Sequence, residues 1–192
     1  MDDRDAGGGP GAAGLFGKLP ARGDFVRRNL PASFAVAWDS WLADVLADSR
    51  ARLGRGWLPA FLEAPVWCFA LAPGVCGPAA ACGVWLPSVD RAGRYFPLAL
   101  VGMVPLAPPG WFAACEAAGR AALADASPEE VLHRLPPPPA DPAGGPAAGS
   151  LWWTAGSRRV RGGRRTLPGL PDGAAFAAML DEAAAAATAA TA

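Results

Sequence analysis

The sequence predicts a mixed α/β fold of the α+β type, in which a central, mainly antiparallel sheet is flanked by helices in a single domain. Two observations indicate this class. Uninterrupted apolar runs bounded by turn residues are typical of buried strands, and longer segments repeat their apolar residues at three- and four-residue steps, as amphipathic helices do. The connections between the strand candidates hold no long helical crossover, so neighbouring strands are expected to be antiparallel. With 192 residues, the chain suffices for one well-packed core.

Three apolar runs in the middle of the chain predict strands, at 66–71, 82–86 and 95–104. The first is rich in aromatic and branched residues, starts after Pro65 and stops before the turn signal Pro73-Gly74. The other two enclose a short charged turn. These three runs should therefore form neighbouring strands of the sheet.

A fourth strand candidate, 151–154, contains the adjacent residues Trp152 and Trp153. Successive side chains of a strand point to opposite faces, so the two indoles cannot share one environment. We expect one of them to be buried and the other to line a groove or another layer.

The helix candidates are 31–53, a short turn at 57–63, then 110–124, 127–135 and 172–188. In the first, Pro31 suits the first turn and Gly54 the stop. Ser127 and Glu130 have the spacing of a capping box, which marks the start of the fourth. The last candidate is rich in alanine, the residue with the highest helix propensity.

Two segments are predicted to lack regular structure. Residues 1–14 are Gly-rich and polar and offer nothing to bury, so we expect a disordered tail followed by a domain over 15–192. Residues 136–150 hold four consecutive prolines and a Pro/Gly/Ala run, which favours a flexible or polyproline loop.

The charge balance is neutral, with 17 basic and 17 acidic residues, so the whole-chain attraction to nucleic acid or anionic lipid is missing. The N-terminus has no basic leader or apolar core of a secretory signal, and prolines interrupt the longest apolar run. We expect a cytoplasmic protein without membrane insertion or nucleic acid. The four cysteines form no Cys-x-x-Cys pair and are interpreted as reduced core thiols rather than metal ligands.

The familiar catalytic patterns are missing, so we expect neither enzymatic activity nor a cofactor. A nucleophile–histidine arrangement would depend on His133, the single histidine. No phosphate-binding loop, nucleophile elbow or zinc helix occurs. The segment 158–165 has five arginines in eight residues. It is interpreted as a solvated Gly-containing loop, with an acidic protein face as the alternative, because it lacks the aromatic residues that stack on bases.

The charged turn between the second and third strand candidates places Asp90, Arg91 and Arg94 at one end of the sheet. Rigid neighbours make such a turn suitable as a binding surface. The alternative is that the charges pair with one another in solvent and contribute little.

The chain resembles the TagF family, also called ImpM, of type VI secretion-associated accessory proteins. Several unusual strings occur in the family's order at compatible spacing, which makes the resemblance specific. The matching strings are LFGKLPARGDFV at 15–26, WDSW at 38–41, APVWCFALAPGVCGP at 64–78, PSVDRAGRYFP at 87–97 and SLWWT at 150–154.

The resemblance implies a cytoplasmic, non-enzymatic regulator that represses assembly of the secretion apparatus by binding a scaffold protein with a forkhead-associated domain. We expect the partner-binding residues to be Lys18, Arg22, Asp24, Arg27, Asp90, Arg91, Arg94 and Tyr95. Three alternatives remain. Asp24 or Asp90 can instead cap turns and pair internally; the chain can be a structural subunit of the apparatus; or Asp24, Asp90 and Arg94 can surround the pocket of an unrecognised hydrolase or nucleotide-binding enzyme.

Overall fold

A seven-stranded antiparallel sheet with the order β2-β1-β5-β4-β3-β6-β7 forms the centre of the protein. The computed structural model describes residues 11–124 and 126–189, with side chains through 187. The strands are β1 (Gly14–Gly17), β2 (Val26–Arg28), β3 (Trp67–Leu71), β4 (Ala81–Leu86), β5 (Leu98–Gly102), β6 (Ser150–Gly156) and β7 (Arg161–Leu167). Strands β3, β4 and β5 form a meander, and β1–β2 and β6–β7 extend it at its two edges.

Helices cover both faces of the sheet, so the predicted α+β class with an antiparallel sheet is confirmed. They are α1 (Ala32–Leu53), α2 (Trp57–Leu62), α3 (Pro109–Leu123), α4 (Pro128–Arg134), α5 (Gly173–Leu180) and α6 (Glu182–Ala189), with a 3-10 turn at Gly54–Gly56. The predicted capping box is present: the Ser127 hydroxyl accepts from the Glu130 amide, and the Glu130 carboxylate accepts from the Ser127 amide.

The first sheet face carries an aromatic core beneath α1, α2 and α5. Trp38 of α1 packs its ring against Phe69 of β3 and Trp152 of β6, with centroid distances of 4.9 and 6.3 Å. Trp41 and Phe176 join α1 to α5 through an edge-on contact at 5.9 Å. Because aromatic side chains bury large areas, this cluster is the main apolar core of the domain.

The second sheet face is covered by α3 and α4 only over part of its width. Helix α3 packs on β4 and β5, where Cys82, Val84 and Leu100 are fully buried. On the neighbouring strands β3 and β6, Cys68 and Trp153 of the same face stay partly exposed. The sheet therefore has an apolar face that its own helices cover incompletely.

The prediction for the tryptophan pair is confirmed. Trp152 is fully buried in the aromatic core, and its N–H donates to the Ser150 hydroxyl at 2.8 Å. Trp153 lies on the other face, partly exposed, and contacts Phe112 of α3 edge-on at 4.8 Å.

The expected loop over 158–165 is wrong, because most of this segment forms the edge strand β7. Three of its arginines find acidic partners within the chain. Arg159 bonds to Glu63 and Asp181, at 3.0 and 2.8 Å. Arg161 and Arg165 both bond to Glu182. Edge strands rich in charge resist pairing with other chains, and here the charge also anchors the C-terminal helix.

The expected single helix over 172–188 is also corrected, since it consists of α5 and α6 with a break at Asp181. The backbone of Asp181 is extended there, with φ −154° and ψ 105°. Its carboxylate accepts from the Ala184 amide at 2.9 Å, which caps α6, and also bonds Arg159. The ion pair and the cap together outweigh the alanine propensity that favours a continuous helix.

Residues 1–10 of the expected disordered tail lie outside the described residues, and β1 begins at Gly14. Residues 136–149 contain no helix or strand. In the described part of the chain, no helix is both long and apolar enough to cross a lipid bilayer.

Candidate functional site

Two loops meet at one end of the sheet and bring most of the predicted site residues together. We call residues 18–25, after β1, and 88–96, between β4 and β5, the charged corner. The Ser88 hydroxyl donates to the Lys18 carbonyl at 2.7 Å, and the Arg91 amide donates to the Arg22 carbonyl at 2.9 Å. Backbone and side-chain hydrogen bonds therefore connect loops that lie about seventy residues apart in the sequence.

Gly17 permits this close approach of the two loops. Its φ is +137°, a conformation that side chains rarely adopt, and a Cβ at this position would lie 2.1 Å from the Pro97 carbonyl oxygen. Glycine is required here because β1 runs directly against the chain that enters β5. The next residue, Lys18, is thereby placed beside Asp90.

Asp90 is the centre of the charged corner. One of its carboxylate oxygens accepts from the Lys18 ammonium at 2.8 Å and the Arg94 guanidinium at 2.6 Å. The other oxygen accepts from the backbone amides of Ala92 and Arg94, at 2.9 Å each. Arg94 also donates to the Gly23 carbonyl. The side chain of Asp90 has no exposed surface. It therefore cannot contact a partner directly, and its role is to hold the two loops together.

The ionisation of Asp90 follows from these contacts. Burial of the carboxyl opposes ionisation, but the hydrogen bonds from Lys18 and from both the backbone and side chain of Arg94 outweigh it. They hold the pKa of Asp90 well below its usual range. The carboxylate is therefore charged at neutral pH, and both of its oxygens are already occupied by donors. It is poorly suited to act as a general base, contrary to the hydrolase alternative.

The solvent-facing side of the corner combines charges with one aromatic ring. Arg22, Asp24 and Arg91 are exposed, and the side chain of Arg94 is 59% exposed even though it bonds to Asp90. Phe25 is 41% exposed and packs edge-on between two other rings, Phe16 at 4.6 Å and Phe96 at 5.2 Å.

The remaining predicted site residues are less accessible. The Lys18 side chain is only 14% exposed, because it lies over Asp90. Tyr95 is partly buried and contacts Phe61 of α2 edge-on at 6.3 Å. Arg27 lies on β2 and is partly buried. The accessible members of the predicted set are therefore Arg22, Asp24, Arg91 and Arg94, and Phe25 is the exposed residue that sequence reasoning missed.

A second feature is a groove of about 680 Å³ on the incompletely covered sheet face. In the sequence, only the expected exposure of one of the two adjacent tryptophans, which is Trp153, indicated it. Its floor includes Cys68 and Trp153, and Phe112 of α3 forms one wall. Glu116 and Arg120 on α3 form an ion pair at 2.7 Å at this wall, and Arg164 of β7 also lines the groove. We call this feature the apolar groove.

The cysteines are thiols rather than thiolates at neutral pH. Burial, with smaller effects from Glu116 and Cys82, raises the pKa of Cys68 to about 12, and burial raises the pKa of Cys76 to about 12 as well. The thiolate is the reactive form, so Cys68 is a poor nucleophile although it lines the apolar groove. Among the described residues, no group of three or more His, Cys, Asp or Glu side chains is placed to hold a metal ion.

The sheet order, the helices on both faces and the tied loops at one end define a single-domain α+β protein built on a seven-stranded antiparallel sheet. Comparison with known proteins identifies the family. The model of the TagF N-terminal domain, described as type VI secretion system-associated, matches residues 14–135. The chain belongs to the TagF family.

A solved structure has the same fold. The crystal structure of PA0076 from Pseudomonas aeruginosa PAO1 superimposes with a TM-score of 0.79 and 35% sequence identity, covering 89% of this chain and 94% of that protein. The chain matches no curated protein. Both loops of the charged corner lie within the residues that the family model matches.

Proposed function

We propose that this protein is a cytoplasmic, non-enzymatic regulator of the type VI secretion system that represses assembly of the apparatus after translation. It does so by binding a scaffold protein with a forkhead-associated domain through the charged corner. Family membership supports the association with type VI secretion. The repressive role and the scaffold partner are what the family resemblance implies, and the choice of binding surface is inferred from the corner itself.

The observation that carries the proposal is the buried carboxylate of Asp90, which fixes the loops beneath an exposed set of charges. Two loops from different parts of the chain, tied to one carboxylate, present Arg22, Arg91 and Arg94 in a defined arrangement. A rigid surface loses little conformational entropy on binding, which favours affinity. Arginine beside an exposed aromatic ring is also the composition of interface hot spots.

The two arginines of the turn have different roles in this proposal. Arg94 bonds to Asp90 and to the Gly23 carbonyl, so its loss disturbs the corner itself. Arg91 is exposed and, within the described part of the chain, forms no ion pair, so its side chain is available to a carboxylate of the partner. Arg91 is therefore the residue with which to test binding, and Arg94 is not.

The test measures binding of the purified scaffold from the same organism by biolayer interferometry. We expect Arg91→Glu to weaken binding by about tenfold or more, since charge reversal at an interface replaces attraction by repulsion. Arg55→Glu, on the exposed 3-10 turn, is the matched control and should bind like the unmodified protein. The melting temperatures of both variants should be unchanged.

Unaltered binding of Arg91→Glu would overturn the role of the corner. Failure of the unmodified protein to bind the scaffold at micromolar concentration would overturn the choice of partner. Stable co-purification with baseplate components, in place of the scaffold, would assign the chain as a structural subunit.

A further inference from the structure

The apolar groove exists because α3 lies mainly over β4 and β5 of the second sheet face and meets β6 through the contact of Phe112 with Trp153. Helix α3 packs on β4 and β5, and β3, β6 and β7 lie beyond it in the sheet order. On these strands, Cys68, Leu151 and Trp153 are partly exposed, and all three line the groove. On the opposite face, the same part of the sheet is covered by the aromatic core, where Phe69 and Trp152 have no exposed surface.

The uncovered strip has the width of one helix. Neighbouring strands lie about 4.8 Å apart, so β3 and β7 are separated by roughly 10 Å across β6. A helix with its side chains is about 10–12 Å in diameter. A helix in the groove would lie beside α3 and complete the layer that α3 begins.

Within the part of the chain that the structure describes, the charged side chains that line the groove leave one positive charge unpaired. The ion pair between Glu116 and Arg120 makes the α3 wall neutral, and Glu63, the other carboxylate that lines the groove, is paired with Arg159. On the opposite rim, Arg164 is exposed and, among the described residues, forms no ion pair, although its neighbours on β7 do. Arg164 is the cross-strand neighbour of Trp153, so an uncompensated cation lies directly beside the aromatic floor.

From this shape and charge we infer that the apolar groove docks an amphipathic helix of a partner protein. Its apolar stripe packs on Trp153 and Phe112, and an acidic residue on its flank pairs with Arg164. Helices bind grooves of this kind through apolar residues at i, i+3, i+4 and i+7. The inference concerns a site separate from the charged corner and does not rest on the proposed function.

The experiment selects binders from a phage-displayed library of 16-residue peptides against the purified full-length chain. We expect the enriched peptides to share a helical apolar stripe and at least one Asp or Glu on its flank. A synthetic peptide of the consensus should gain helical circular dichroism on binding. Fluorescence anisotropy of the labelled peptide then gives its affinity for the variants.

Four variants test the contacts. We expect Arg164→Glu to weaken peptide binding about tenfold, and a peptide whose acidic residue is changed to Lys to regain affinity for this variant. Trp153→Ala should weaken binding by more than about tenfold, as loss of a central aromatic anchor does. Arg158→Glu is the matched control on the same hairpin, outside the groove, and should stay within about twofold. Arg91→Glu, in the charged corner, should also leave peptide binding unchanged.

Other outcomes would overturn the inference. These are no enrichment, enrichment of extended or basic peptides, or binders that retain their affinity for Arg164→Glu and Trp153→Ala. A dimer seen by sedimentation velocity and lost in Arg164→Glu would assign the groove to a second copy of the chain. Saturable binding of laurate that Arg164→Glu abolishes, without any helical binder, would assign it to a small apolar acid.

Discussion

The two adjacent tryptophans of β6 allow a sharp test of the structure, because they lie on opposite faces of one strand. We compare Trp152→Ala with Trp153→Ala. Trp152 contacts the rings of Trp38, Trp41 and Phe69, and its N–H donates to Ser150. Trp153 has one described ring contact, with Phe112.

The expected costs follow from these contacts. Truncation of a fully buried tryptophan lowers the free energy of unfolding by about 3–5 kcal/mol, and the lost hydrogen bond adds about 1 kcal/mol. For Trp153, loss of one aromatic pair costs about 1 kcal/mol, and loss of its partial burial costs about 1 kcal/mol more. We therefore expect decreases of about 5 kcal/mol for Trp152→Ala and about 2 kcal/mol for Trp153→Ala.

Urea and thermal unfolding, followed by circular dichroism at 222 nm, measure this difference without relying on tryptophan fluorescence. At about 2–4 °C per kcal/mol for a domain of this size, the melting temperature should fall by about 10–20 °C for Trp152→Ala and by about 4–8 °C for Trp153→Ala. Equal losses in the two variants, or a larger loss for Trp153→Ala, would refute the assignment of the two rings to a closed core and an open groove.

Two further predictions concern the charged corner. The lowered pKa of Asp90 means that its contribution to stability is present above the pKa of an unfolded carboxyl, near 3.9, and is lost as the pH falls below it. The stability difference between the unmodified protein and Asp90→Asn should therefore shrink between about pH 4 and pH 2.5 in urea titrations, and a gap independent of pH would contradict this reasoning. Gly17→Ala should lower the free energy of unfolding by about 2 kcal/mol or more, because Gly17 has a positive φ and its Cβ position lies against the Pro97 carbonyl oxygen. Gly23→Ala is the control, since the space around its Cβ position is open. It should change the free energy of unfolding by less than about 0.5 kcal/mol in the same assay.

The regular elements that sequence reasoning found are those whose signal is local. Each of these signals depends on residues that are close together in the sequence. They are the apolar spacing of α1 and α3, the capping box of α4 and the apolar runs of β3 and β4. Strands β1 and β2 were missed because they have only four and three residues, too few to display a period of two. Strand β7 was missed because its arginines and glycines are atypical of strands.

The candidate site was likewise predictable only in part from the sequence. The sequence predicted that Asp90, Arg91 and Arg94 lie at one end of the sheet, and it left open whether they form a surface or pair internally. The structure gives a separate role to each. Asp90 is buried, Arg94 bonds to Asp90 while much of its side chain stays exposed, and Arg91 is exposed. The interaction surface as a whole stays a prediction.

By itself, the sequence determined the fold class, the family, the helices α1 and α3 and the opposite orientations of Trp152 and Trp153. Periodicity and side-chain alternation are properties of neighbouring residues, so they can be read without knowing the tertiary contacts. Only the tertiary structure decided that Lys18 pairs with Asp90, 72 residues away, that Arg161 and Arg165 of β7 bind the C-terminal helix, and that one sheet face stays partly open. These features depend on which strands become neighbours and on how far each helix extends across the sheet, and chain packing sets both.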